Sequence, residues 1–547
     1  MSPVVAARVE EVSAQALKAE LADGREIALL DVREQGQYGQ GHPFLAVPLP
    51  YSRMELDAGH LLPCLTVRVV VLDDEGGNGA NALAQRAARR LQALGYRHVR
   101  VLQGGARGWA LAGYTLYQGV HLPSKTFGEL IEHHCHTPSI SADQLQAMLQ
   151  AGDNVQVLDG RSRSEYQKMT IPGATSCPNA ELGYRLHRLA PDAQTTVVVN
   201  CAGRTRSIMG AQSLINLGVP NRVLALENGT QGWYLRDFAL EHGSQRFYPE
   251  VSAADPALQA RREQAQGLAV RTGVQPVSWA QLASWQDDSA RSSYFFDIRT
   301  PEEFKHGPAY GALPAEGGQL LQGTDLYIAV RHARVVLLDT DGIRAPLVGS
   351  WLVQMGFEVF LLDASVWPSP PGQAQPAWRW PALPQPAAVT LLTASQLREL
   401  QEQAGAVHVI DLRLSLRFRS LHLRGAVWST RALVRQTAHQ LASAGAADSP
   451  LVLVASDAGV AALAASELAA DGRTIYCTLD AAAWAAAGLA TESSPQQPPD
   501  ADCIDYLFFV HDRHDGNKQA ARQYLAWEMN LVSQLDAQER AVFELRP

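Results

Sequence analysis

The sequence predicts an α/β protein built from four tandem units, each a parallel central sheet sandwiched by helices, with a helical C-terminal tail. Three observations carry this. An apolar run ending in Asp-x-Arg occurs four times: Leu29-Leu-Asp-Val-Arg33, Val157-Leu-Asp-Gly-Arg161, Phe295-Phe-Asp-Ile-Arg299 and Val409-Ile-Asp-Leu-Arg413. A second apolar run follows at nearly constant distance. Asp31 and Asp73, Asp159 and Cys201, and Asp297 and Asp339 each lie 42 positions apart, and Asp411 and Ser456 lie 45 apart. Each unit then passes through a helical stretch and another short apolar run to a tryptophan, at Trp109, Trp233, Trp367 and Trp484.

The elements follow in order. The paired apolar runs are continuous rather than alternating, as strands covered on both faces are. The second runs are Val67 to Leu72, Thr196 to Asn200, Arg334 to Leu338 and Leu451 to Ala455. Strands alternating with helical stretches imply right-handed crossovers and hence parallel sheets. The units end in Gly104-Gly-Ala-Arg-Gly-Trp109, Asn228-Gly-Thr-Gln-Gly-Trp233, Asp363-Ala-Ser-Val-Trp367 and Asp480-Ala-Ala-Ala-Trp484. Shifts in composition set the expected boundaries at 1–120, 121–245, 246–383, 384–495 and, for the tail, 496–547. Tyr117 to Ser124 and Gly243 to Ala254 read as linkers. Pro368 to Pro386, rich in Pro and Ala, should be extended, as should Thr491 to Asp500. From Asn517 onward the tail is helix-like, with Tyr524, Leu525, Trp527, Leu531 and Leu535 on an apolar face.

Composition narrows the function classes. A formal charge of −9 argues against broad binding to nucleic acid or anionic membrane. No apolar run is long enough to span a bilayer. Met1 to Glu20 lacks the basic start and apolar core of a signal peptide, which implies a cytoplasmic protein. The six cysteines show neither a C-x-x-C pair nor a zinc spacing, so no metal and no organic cofactor is expected.

One stretch makes a specific chemical offer: Cys201-Ala-Gly-Arg-Thr-Arg-Ser207, between the strand Thr196–Asn200 and a helical segment. Thiolates are favoured at helix starts and beside cations. The successive N–H groups of Ala202, Gly203, Arg204, Thr205, Arg206 and Ser207 can nest an anion, and the positive helix end adds to this. Arg204 and Arg206 are suited to gripping an oxyanion with their guanidinium forks. Between Gly160 and Arg206 there are seven basic residues against three acidic ones, so an anion is steered to this unit. Arg185 and Lys168 are second-rank ligands.

The Asp-x-Arg strand end, Pro172-Gly-Ala174, the Cys-x4-Arg loop and the Gly-x-x-Gly-Trp ending (Gly229 to Trp233) resemble rhodanese-type sulfurtransferases. The likeness runs over roughly residues 10 to 490 and is best in the second unit. It implies tandem rhodanese-like domains of which only the second carries the catalytic cysteine, Cys201. Asp73, Asp339 and Ser456 stand at the equivalent positions, and Thr170 replaces the family's usual His before the Ile-Pro-Gly turn. The implied reaction moves sulfane sulfur from a small donor, thiosulfate, to a thiol or cyanide through a Cys201 persulfide, without a general base. A protein sulfur acceptor and a homodimer stay open. Related cysteine phosphatases and arsenate reductases use a loop one residue longer, which would place the arginine at Ser207. A sulfur-carrier or docking scaffold with little turnover is the other alternative.

Other features read as structural. Asp159 and Arg161 pin a strand end. Cys177 is a packed thiol. Ser456 is a helix cap. Asp73, Asp74 and Glu75, like Asp339 and Asp341, put carboxylates where the anion would sit, so those units are scaffolds or bind something cationic. His133-His-Cys-His136 points its side chains in different directions, and His511-Asp-Arg-His-Asp515 suits a polar cap on the terminal helix or a dimer contact.

Overall fold

The computed structural model describes residues 8–75, 82–252, 254–307, 311–362, 377–404, 406–444, 449–469, 474–479, 481–514 and 516–546. The unit ending Asp363 to Trp367, the first part of Pro368 to Pro386 (368–376), Asp480 and Asp515 therefore lie outside the described residues.

Four sheets share one plan. In the second, the strand order is Ser139–Ile140, Val223–Leu226, Thr196–Asn200, Val155–Asp159 and Thr175–Ser176, all parallel. The third and fourth sheets repeat that order around Ser293–Asp297 and His408–Asp411. The central strands are apolar and buried along their length, Thr196–Asn200 and Ser293–Asp297 throughout. Helices on both faces explain why these runs do not alternate.

The first sheet departs from the plan. Val330–Arg331, from the third unit, pairs antiparallel with Ile27–Asp31, so the first and third units share a sheet. The ion pair of Arg291 with Glu26, at 2.7 Å, closes the same joint.

The Asp-x-Arg signature is a repeated clasp. In each unit the arginine bonds the aspartate two residues before it, and also donates to a carbonyl eight residues further on: Gly41, Met169, Gly307 and Leu421. Asp159 additionally accepts from Thr170 Oγ1 at 2.7 Å and Asn200 Nδ2 at 3.0 Å. The clasp thus ties the end of one central strand to the end of the next, where the cysteine loop begins. Thr170, standing in place of a histidine, serves this clasp.

One helix begins where a linker was expected, and another follows the second expected linker. Leu122–Cys135 begins inside the segment Tyr117 to Ser124, and Leu258–Thr272 follows the other. His133 and His134 occupy the last turn of the former, and His136 its left-handed cap. The tail helix is Lys518–Met529, capped by Asn517 rather than by the His511 cluster. Its Tyr524 and Leu525 are buried with Leu507 and Val510. The chain then crosses to the first unit, where Glu539 meets Lys18 at 3.0 Å, and to the third, where Arg546 donates to the Thr272 carbonyl.

Candidate active site

Cys201 follows the last residue of the strand Thr196–Asn200 and precedes the helix Thr205–Asn216. It is 2% exposed. Its Sγ lies 3.6 Å from Ser207 Oγ, which donates to the Arg204 carbonyl at 2.8 Å. The loop is held from behind by the start of the helix Gly229–Leu235. Thr230 N–H donates to the Cys201 carbonyl at 2.8 Å, and the Gln231 amide and side chain both donate to the Ala202 carbonyl. Both loop carbonyls are therefore turned toward Thr230 and Gln231. Gly229 is required there: its φ is +53°, and a Cβ would lie 2.2 Å from the Cys201 oxygen. Gly229→Ala is expected to cost roughly 2–4 kcal/mol, combining left-handed strain with a backbone clash, as read from urea unfolding.

The third unit shows what the loop binds. There Asp339, at the position of Cys201, accepts from Gly342 N–H at 3.0 Å and Ala345 N–H at 2.8 Å. Asp341 accepts from the N–H groups of Ile343 and Arg344, each at 3.0 Å. Burial, and then Asp341 beside it, pushes the Asp339 carboxyl up. In the first unit Asp73 accepts from Ala84 N–H at 2.9 Å. The loop of the third unit is thus an anion nest filled by its own side chains, and in the first unit Asp73 takes an N–H of the following helix start. Asp73, Asp339 and Asp341 turn into the backbone, whereas Asp74 and Glu75 face outward and pair with Arg33 and Arg107. In the fourth unit Asp457, not Ser456, caps the helix, accepting from Gly459 and Val460. Only the second unit has a small neutral loop, Ala202-Gly203, beside its thiol.

The arginines are placed differently from the sequence expectation. Arg206 is 6% exposed and forms a two-pronged ion pair with Glu165 at 2.7 and 2.8 Å. Burial opposes the charge of its guanidinium, but Glu165, with a smaller contribution from Cys201, holds it above the usual arginine range. Burial opposes ionisation of Glu165, but Arg206 outweighs it and holds the carboxyl far below the usual range. Arg204 is bound by Glu129 at 2.8 and 3.0 Å and also by Glu132, both from the helix Leu122–Cys135. Burial pushes Glu129 up to about 7 despite that pairing. Neither guanidinium is a free fork waiting for an oxyanion. Arg185 is further removed: it pairs with Glu181 at 2.6 Å, donates to the Pro249 carbonyl and lies 4.0 Å over Tyr248. It joins the helix Leu182–Leu189 to the following segment.

A signal for the Arg206 pair was present in the repeat. Glu165 and Arg206 lie 41 positions apart, as do Glu303 and Arg344, which pair at 2.6 Å in the cysteine-free third unit. In the first unit the corresponding residues are Gln37 and Asn78, and in the fourth Arg417 and Ala461, so both partners are lost together. A pair kept where there is no thiol is a brace for the loop.

The tail was not expected near the site. Glu528, fully buried, accepts from Thr205 Oγ1 at 2.7 Å and pairs with Lys125 at 3.1 Å. Burial opposes its ionisation, yet Lys125 and Thr205 hold it below the usual carboxylate range. A Cβ on Gly203 would lie 2.9 Å from Glu528 Oε2 and 3.2 Å from Tyr524, so the tail helix presses directly on the loop. Cys177 is fully buried, which pushes its thiol up and leaves it a core residue.

Comparison with known proteins places this geometry. A model of the rhodanese-like domain family matches residues 13–112 and 141–236. A crystal structure of a thiosulfate sulfurtransferase from Pseudomonas aeruginosa is 40% identical, with 98% of this chain and 100% of that chain covered and a TM-score of 0.88. The chain belongs to the rhodanese-like family. A rhodanese-related protein from Thermoplasma volcanium is 25% identical over 19% of this chain and 97% of its own, with a TM-score of 0.17. A search of curated proteins gives no match. The repeated parallel sheets flanked by helices are the rhodanese fold in tandem. Among the described residues no group of three or more His, Cys, Asp or Glu side chains could hold a metal ion, and no helix is long and apolar enough to cross a membrane.

Proposed function

We propose that the chain is a sulfurtransferase that takes sulfane sulfur from thiosulfate onto Cys201 and passes it to a thiol or to cyanide. The observation that carries this reading is the loop itself. The nest that Asp339 fills with a carboxylate is, in the second unit, beside a thiol, in a loop with no acidic residue of its own. The likeness over nearly the whole length of both chains to the thiosulfate sulfurtransferase from Pseudomonas aeruginosa supports it.

The chemistry is a double displacement. The Cys201 thiolate attacks the outer sulfur of thiosulfate; the new S–S bond forms, the donor's S–S bond breaks, and sulfite leaves with that electron pair. The persulfide is anionic, so the N–H groups of Ala202 to Ser207 and the helix start stabilise it as they would the thiolate. An acceptor nucleophile then attacks the outer sulfur and Cys201 departs as thiolate. Arg206, braced by Glu165, keeps a fixed positive charge beside the sulfur, and Arg204 fixes the loop against the helix Leu122–Cys135. Both act as positioning residues, while the backbone amides bind the anion. Cytoplasmic location and the domain limits given above are part of the same proposal.

Steady-state kinetics with thiosulfate and cyanide test it. The expected result is thiocyanate production with parallel double-reciprocal lines, the mark of a substituted-enzyme mechanism. Turnover of a phosphate ester without thiocyanate formation would reject it.

A further inference from the structure

The loop position that holds Cys201 in the second unit opens, in the fourth, on a cavity of about 380 Å³. Ser456 and Asp457 enter it from the fourth unit's loop, Glu34 and Arg53 from the first unit, and Asp505 from the tail. Leu414, Trp428 and Val460 give it an apolar wall. The three carboxylates are met by neutral donors. Ser52 Oγ donates to Glu34, Ser415 N–H to Asp505 at 2.7 Å, and the N–H groups of Gly459 and Val460 to Asp457. The cations nearby are taken by other acids. Arg413 is bound to Asp411 at 2.6 Å and Arg53 to Asp57 at 3.1 Å, Arg53 coming no closer than 3.9 Å to Asp457. Arg431, whose charge reaches Glu34, pairs with Glu55 and Glu467. Burial, with Asp505 adding to it, raises the Glu34 carboxyl to about 7 against the pull of Ser52 and Arg431.

Two acceptors are left over. Asp505 Oδ1 is buried without a hydrogen-bond partner among the described residues, and so is Oγ1 of Thr430, a lining residue only 6% exposed. Buried polar atoms are normally satisfied, so this pair marks room for a donor. No three acidic side chains among the described residues stand close enough to hold a metal ion. The complement is therefore a cation with separated charges on an apolar chain, in a volume typical of organic ligands. We propose that this cavity binds an aliphatic polyamine, its ammonium groups held by Glu34, Asp457 and Asp505 and its methylene chain laid on Leu414, Trp428 and Val460. No step of sulfur transfer enters, so the site stands whether or not Cys201 carries a persulfide.

Calorimetry with spermidine on the full-length protein tests this, at low ionic strength and at pH 8, where the Glu34 carboxyl is ionised. Saturable one-to-one binding is expected. Glu34→Gln and Asp505→Asn should each weaken it about tenfold, whereas Glu263→Gln, exposed on the helix Leu258–Thr272, should change it less than about twofold. The two amides still accept from Ser52 and Ser415, which keeps the joint in place, and thiosulfate turnover at the second unit reports that each variant is folded. No binding to the wild type, or binding that neither cavity variant weakens more than Glu263→Gln does, would overturn it.

Discussion

Cys201→Ser should lower kcat/KM for sulfur transfer by four orders of magnitude or more, a loss of about 5.5 kcal/mol in transition-state stabilisation, because no other nucleophile occupies the nest. The fold should barely notice. The substitution nearly conserves volume in a loop whose other bonds do not involve the thiol, so unfolding free energy should stay within about 1 kcal/mol. The converse substitution is as informative. Asp339→Cys places a thiol at the matching point of the third unit, where Asp341 stands in place of Gly203 and already accepts two loop amides. That variant should gain no measurable turnover. Activity in it would mean that the thiol, rather than the empty nest, is what the other units lack.

The second large effect is on stability. Glu165→Gln leaves Arg206, 6% exposed, without its two-pronged carboxylate partner, at a cost of about 3 kcal/mol. This is the low end for a buried pair because the Glu165 side chain is itself 34% exposed. Chemical unfolding at pH 7 measures it, and Glu165→Gln combined with Arg206→Met should recover part of the loss, since the pair is then absent rather than broken. The pH dependence has a defined sign. The folded-state pKa of Glu165 is depressed, so its contribution is present above the ordinary glutamate value of 4.5 and is lost as pH falls through the folded value. The difference between wild type and Glu165→Gln should therefore shrink on acidification. Glu129 behaves oppositely: its pKa is raised to about 7, so its favourable term is full below 4.5 and is lost as pH rises through 7.

What the sequence made legible was whatever is local or repeated. The Asp-x-Arg clasp, the apolar central strands, the cysteine loop and the terminal helix each rest on neighbours along the chain or on a spacing that recurs. The rest depended on partners chosen in three dimensions. Arg204 finds Glu129 and Glu132 more than 70 positions earlier, on a helix whose start had the composition of a linker. Arg185 is saturated four residues away by Glu181, a pair that sequence alone cannot tell from a solvated one. Val330–Arg331 joins a sheet some 300 positions distant, and Glu528 reaches the loop from the far end of the chain. Charge counting placed positive residues near the cysteine correctly but could not see the carboxylates that neutralise them. The Glu165–Arg206 spacing is the exception, since its joint presence or absence across the units marks it as structural.

The central claim is that one cysteine among six carries the sulfur. Mass spectrometry of the intact protein and its peptides after incubation with thiosulfate tests it most directly. The account predicts one added sulfur atom, on the peptide containing Cys201, and none on Cys201→Ser. Added sulfur on Cys177 or any other cysteine, or wild-type protein that stays unmodified under turnover conditions, would contradict it.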